Sequence, residues 1–273
     1  MPPVLGEDMP PNHPIGVFDS GLGGLTVLKA LKHLLPQEST LYLGDLARLP
    51  YGNKSPEVVC RYAQEAAAFL LAHNIKLLVV ACNTASAMAL ETLQKQLPIP
   101  VVGVIIPGAQ QAEKCTRNGR IAVLGTLGTV RSAAYHRALL HLRPSLFVLS
   151  QACPLFVPLV EEGWLEGEVP RLVVSHYVQP IIEAGVDTVV LGCTHYPLLA
   201  SALGAALGPQ VQLVDSATAT AQHVARLLHA QALYSQAPKA THACFVTDEP
   251  ERFAQQAERF LGYPLGDIRL CRL

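Results

Sequence analysis

Two stretches of the chain carry the residues most suited to chemistry: "VVACNTAS", starting at Val79, and "VVLGCTHYPLL", starting at Val189. Each is an apolar run that ends on a cysteine, Cys82 or Cys193, followed at once by hydroxyl and amide side chains and then by a helix-like pattern. The thiolate is the reactive form of cysteine, and a helix N-terminus lowers the thiol pKa toward neutrality. Both cysteines are therefore expected to be activated by the helices that follow them. A lone thiol suits nucleophilic catalysis. Two thiols facing one crevice suit moving a proton from one face of a carbon to the other, one acting as thiolate and the other as thiol, with their states exchanged after each turnover. Asp19 and His195 are the natural partners to adjust the proton affinity of Cys82 and Cys193 respectively.

Other chemistries fit these residues less well. Zinc could use Cys82, Cys193 and His195, but the sequence has no C-x-x-C or H-x-x-x-H spacing. A Cys/His hydrolase needs one nucleophile and leaves the second cysteine without a task. The loop "DSGLGG" from Asp19 matches neither the Walker pattern nor G-x-G-x-x-G. It leaves two readings open: glycines that let backbone N–H groups approach a small anion, or a tight turn that lets a helix pack closely. Cys60, Cys115, Cys153, Cys244 and Cys271 are assigned to structure.

The elements that must position these residues follow from continuous apolar runs of four to six residues, as strands covered on both faces require. They place strands at 15–18, 40–44, 76–81, 101–105, 120–125, 146–150, 188–192, 211–215 and 243–247. Helical patterns lie between them. Leu25, Leu28, Leu31 and Leu35 repeat at helical spacing, and "SPEVV" at Ser55 supplies a cap residue, a first-turn proline and an early acid. This alternation is the α/β signature.

The pattern also repeats on a larger scale. Asp19 ends one strand and Cys82 a later one; Thr126 and Cys193 do the same after nearly the same interval. The expected fold is two pseudo-symmetric α/β units with mainly parallel sheets and an active site in the crevice between them. The first domain takes residues 1–106 and is completed by 216–273; the second takes 107–215. Ligands of open α/β sheets bind beyond the carboxyl ends of the strands, where all these polar motifs fall.

Composition excludes several classes of partner. Half the residues are hydrophobic and 15% are charged, with 20 basic against 21 acidic side chains for a net charge of −1. No Lys/Arg cluster is present to neutralise a run of phosphates, so nucleic acid is not expected. No apolar run approaches the ~18 residues of a membrane span, and the opening "MPPVLGEDMPPNHP" has no secretory-signal character. Seven cysteines without framework spacing fit a reducing compartment, hence a cytoplasmic location.

The motifs "GVFDSGLGGLTVLKAL", "YLGDLARLPYGNKS", "ACNTASA", "VLGTLGTVRSAAY", "CPLFVPLVEEG", "LGCTHYPLL" and "VTDEPERF" occur in that order. Together they resemble the glutamate racemase family, within the aspartate/glutamate racemase superfamily. The resemblance implies cofactor-independent two-base interconversion of L- and D-glutamate, supplying D-glutamate for peptidoglycan. It implies no metal and no cofactor, glutamate as the small-molecule partner, and a homodimer. Carried over, Cys82 and Cys193 are the acid/base thiols, assisted by Asp19, His195 and Glu161, with Glu162 adjacent to the last. Asp19, Ser20, Tyr51, Gly52, Asn83, Thr84, Thr126, Thr129, Thr194 and His195 are the substrate-contacting positions. Two residues depart from the family pattern: Leu46, where threonine is frequent, and Ile106, where glutamate is. A racemase of aspartate or another amino acid, and a non-catalytic small-anion binder, are the alternatives.

Overall fold

The strands form two sheets in which every neighbouring pair is parallel. The computed structural model describes residues 11–273; most of the opening stretch "MPPVLGEDMPPNHP" lies outside the described residues. The first sheet contains β1 (Ile15–Asp19), β2 (Thr40–Gly44), β3 (Leu77–Val80), β4 (Val101–Gly103), β9 (His242–Val246) and β10 (Ile268–Leu270), in the order β10-β9-β2-β1-β3-β4. The second contains β5 (Arg120–Gly125), β6 (Phe147–Ala152), β7 (Thr188–Gly192) and β8 (Gln212–Asp215), in the order β6-β5-β7-β8.

The order β2-β1-β3-β4 recurs as β6-β5-β7-β8, so the internal repeat in the sequence is a repeat of topology. In both sheets the chain leaves the first strand for a neighbour on one side and returns to pair on the other. The gap above the first and third strands is the topological switch point at which such sheets bind ligands. Asp19 and Cys82 stand there in one unit, Thr126 and Cys193 in the other.

The helices are α1 (Leu25–Leu34), α2 (Pro56–Ala72), α3 (Asn83–Gln96), α4 (Ile105–Cys115), α5 (Leu127–Ser132), α6 (Ala134–Leu142), α7 (Phe156–Glu161), α8 (Glu168–Glu183), α9 (Ala200–Leu207), α10 (Ser216–Ala230) and α11 (Pro250–Leu261). Ser55 caps α2 by accepting from the Val58 N–H, with Pro56 at its first position, as "SPEVV" predicts. Strands β1, β2, β3 and β7 are buried at every residue, which is why they appear as unbroken apolar runs.

Two expectations need correction. The run at 101–105 ends as a strand at Gly103, and Val104 already caps α4, so its last two β-branched residues begin a helix. The tail adds two strands rather than one: β9 joins the first sheet beside β2, and β10 extends the edge beyond it. One buried cluster joins the two sheets, running from Leu25 and Leu28 of α1 through Leu124 and Leu191 to Phe156, Phe253 and Phe260. The seam between the units is thus packed apolar surface, interrupted by a cavity at the strand ends. No described helix is long and apolar enough to cross a membrane.

Candidate active site

A cavity of about 250 Å³ opens at the carboxyl ends of both sheets, and both Cys82 and Cys193 line it. This is below the roughly 300–1,000 Å³ of drug-sized ligand sites, so it suits a small metabolite. Ser20, Cys82, Asn83 and Thr84 come from the first unit; Thr126, Glu161, Cys193, Thr194 and His195 come from the second.

Cys82 is the N-cap of α3, and its Sγ accepts from the Ala85 N–H at 3.5 Å. The thiol in turn donates to Ser20 Oγ at 3.5 Å. Burial, together with the negative charge of Asp19, nonetheless pushes the Cys82 pKa up to about 12, outweighing the Ser20 and Ala85 contacts. The expected drop toward neutrality does not occur at this thiol. The helix end is there, but removal of the sulfur from water costs a thiolate more than one N–H returns.

Cys193 follows β7, and Thr194 and His195 lead into a 3₁₀ turn (Tyr196–Leu199) before α9 begins. No α-helix starts at this cysteine, contrary to the pattern in the sequence. Its partner is an imidazole: His195 Nδ1 lies 3.9 Å from Cys193 Sγ, and Nε2 lies 3.1 Å from Glu161 Oε1. Burial alone disfavours a charged imidazole, but the hydrogen bonds and charges of Cys193 and Glu161 prevail and push the His195 pKa up to about 10. At neutral pH such a ring is the imidazolium form, in which both ring nitrogens donate. Phe260 of α11 packs edge-on against this ring at 5.5 Å between centroids.

Glu161 ends α7 and reaches His195, whereas the neighbouring Glu162 side chain is 68% exposed and faces Arg252. Two predicted contact residues stand behind the wall rather than on it. Asp19 is fully buried, takes the Gly21 N–H on Oδ2 at 2.9 Å, and leaves Oδ1 without a partner among the described residues. Its pKa is raised by burial, against the opposing pull of His195 and nearby backbone N–H groups. Thr129 is buried too; its hydroxyl lies 3.0 Å from that of Thr126 and 3.3 Å from that of Thr84. Thr84 and Thr126 also meet directly at 2.9 Å, so three hydroxyls bridge the two units beside the cavity.

Tyr51 and Gly52 line the cavity from a short 3₁₀ turn (Tyr51–Asn53). The Tyr51 hydroxyl is committed to Asp45, donating to Oδ2 at 2.5 Å, and Asp45 also accepts from Arg48 Nε at 2.6 Å and from Thr247 Oγ1 at 3.0 Å. The glycine loop also packs directly against the second unit. A Cβ on Gly23 would lie 2.0 Å from Thr194 Oγ1 and 2.6 Å from His195 Nδ1, so the loop is glycine there to let the units approach.

The model of the Asp/Glu/Hydantoin racemase family matches residues 15–224. The chain belongs to this family. It is 56% identical over 255 residues to the glutamate racemase of Geobacter metallireducens, covering 93% of this chain and 94% of that one. A crystallised glutamate racemase isoform of Bacillus anthracis superposes with a TM-score of 0.93 at 41% identity, over 96% of this chain and 98% of that one. The Francisella tularensis glutamate racemase, solved in complex with D-glutamate, gives 0.91 at 34% identity over 96% and 98%.

Within this racemase-family enzyme, sequence reasoning missed the apolar part of the wall. Leu49, Pro50 and Asn53 line it from the first unit, and Leu127, Pro154, Val157 and Pro158 from the second. All but Leu49 lie inside the motifs "PYGN", "GTLGT" and "CPLFVPLVEE". Asn53 was legible as a polar neighbour of Tyr51 and Gly52. The others carry no chemical signature, since an apolar residue that excludes water from a site looks like any residue of the core.

Proposed function

We propose that this chain interconverts L- and D-glutamate by exchanging the α-proton between Cys82 and Cys193, with no cofactor. The observation that carries the reading is that one cysteine from each of two topologically equivalent strand ends lines a single small cavity. The relatives named as glutamate racemases, and the neighbour solved with D-glutamate, favour glutamate over aspartate.

The two sulfurs have unlike surroundings. Cys82, buried beside Asp19, rests as a thiol; Cys193 has an imidazolium within 3.9 Å to accompany negative charge on its sulfur. One proton donor and one acceptor thus face the substrate carbon from opposite sides, and their roles exchange after each turnover. Donors around the cavity, the hydroxyls of Thr84, Thr126 and Thr194 and the amide of Asn83, hold the substrate carboxylates, and the hydroxyls also stabilise charge developing at the carbon. Asp19 acts through Cys82, keeping its proton in place. The apolar wall excludes water from the carbanion-like transition state.

The division into domains 1–106 with 216–273 and 107–215 belongs to the same proposal. A supply of D-glutamate for peptidoglycan, a homodimer and a cytoplasmic setting rest on the family resemblance and on composition. Incubation with L-glutamate in deuterated water tests the activity: deuterium at Cα with loss of optical rotation, persisting after chelation and without pyridoxal phosphate, is expected. Binding without exchange leaves the small-anion binder, and faster turnover of aspartate moves the substrate assignment.

A further inference from the structure

Asn83 follows Cys82 directly and is 2% exposed, yet its Nδ2 has no hydrogen-bond partner among the described residues. A buried amide N–H₂ left unpaired costs free energy unless a ligand completes it. Its Oδ1, in contrast, accepts from Tyr135 Oη at 2.7 Å. Tyr135 belongs to α6 of the second unit and Asn83 to α3 of the first, so this hydrogen bond crosses the seam.

The direction of that bond decides which end of the amide faces the cavity. An amide oxygen can only accept, so the Tyr135 phenol spends its proton on Asn83 Oδ1. An amide whose oxygen is held in this way has its N–H₂ turned to the remaining side. The chain makes room for the ring that imposes this. A Cβ on Gly192, the residue before Cys193, would lie 3.2 Å from Tyr135 Cε2, and one on Gly108 would lie 3.2 Å from Tyr135 Oη. Tyr135 therefore touches the strand end that carries Cys193 and the residue next to Cys82 at once.

We infer that Tyr135 is a positioning residue: it fixes the orientation of the Asn83 amide, so that Nδ2 donates to a carboxylate of the bound amino acid. The inference rests on the proposed function for the identity of that ligand. An amide donor that meets a carboxylate in ground and transition states alike contributes uniform binding.

Tyr135→Phe, which removes the hydroxyl and keeps the ring, is expected to raise KM for glutamate about tenfold or more while kcat changes less than about threefold. In an Asn83→Ala background the same change is expected to add nothing, because Tyr135 acts only through Asn83. The side-chain amide resonances of Asn83 in the ligand-free protein are expected to shift in Tyr135→Phe. Additive losses in the two variants, a KM within about twofold of the parent, or unmoved amide resonances overturn the inference. A parent enzyme inert toward glutamate whose Asn83 resonances still respond to Tyr135→Phe overturns the proposed function and leaves the amide's orientation standing.

Discussion

His195 Nε2 lies 3.1 Å from Glu161 Oε1, while the other nitrogen of the same ring, Nδ1, lies 3.9 Å from Cys193 Sγ. The pair sets a pH limit. His195 has a raised pKa, so the free energy tied to its imidazolium is present in full below the ordinary value of 6.5 and is lost as pH rises through about 10. Activity that needs this cation is expected to fall on an alkaline limb near pH 10. Glu161→Gln removes the opposite charge and is expected to move the limb down by about one unit. A kcat/KM profile measured on both proteins decides it; an unmoved limb removes Glu161 from the role assigned to it.

The two thiols make a sharper prediction. Cys82→Ser and Cys193→Ser should each lower racemisation by about 10³-fold or more with circular dichroism unchanged, since each removes one of two required acid/base groups. The surviving thiol can still remove a proton and return a solvent deuteron to the same face. One variant should therefore label L-glutamate with retention and the other D-glutamate. Label entering the same enantiomer in both, or near-normal turnover in either, would falsify the two-base scheme. In every active variant kcat/KM must stay equal in the two directions, because enantiomers have equal free energy in water.

The parts of this molecule that could be read from sequence were those with one physical cause. Strands such as β3 and β7 are covered on both faces, and only unbroken apolar runs survive there. Strand β10, three residues long with Arg269 and Leu270 exposed at the sheet edge, has no such constraint and left no pattern. Val104 and Ile105 have the composition of a strand but follow Gly103 into α4, where packing overrides propensity. The same division holds at the site. Cys82 could be placed at a helix end, but the burial and the Asp19 charge that raise its pKa are properties of the assembled fold.

Asp45 is expected to matter for the wall that it supports without lining. It is fully buried and binds Arg48, Tyr51 and Thr247, tying the 46–53 segment to the end of β9. Asp45→Ala leaves the Arg48 guanidinium without this partner, and a loss of about 2–3 kcal/mol in stability is expected. KM should rise as Tyr51 and Gly52 lose their anchor. Chemical denaturation and steady-state kinetics test the two effects separately, and a stable variant with parental KM removes Asp45 from this role.

Two glycines with opposite surroundings test whether the seam between the units is set by close approach. At Gly23 a methyl group would meet Thr194 Oγ1 at 2.0 Å and His195 Nδ1 at 2.6 Å, both on buried residues of the other unit. Either the units separate or His195 leaves Cys193. Displacing a catalytic group by about 1 Å is enough to cost roughly a hundredfold in rate, and that loss is expected for Gly23→Ala. Gly204 lies inside α9, and a Cβ placed there would have nothing within 4 Å among the described residues, so Gly204→Ala should leave activity intact. It should also add about 0.5–1 kcal/mol of stability from helix propensity. Parental turnover in Gly23→Ala would mean that the loop can yield without moving the imidazole, and the account of the glycine loop as a close-approach device would fall with it.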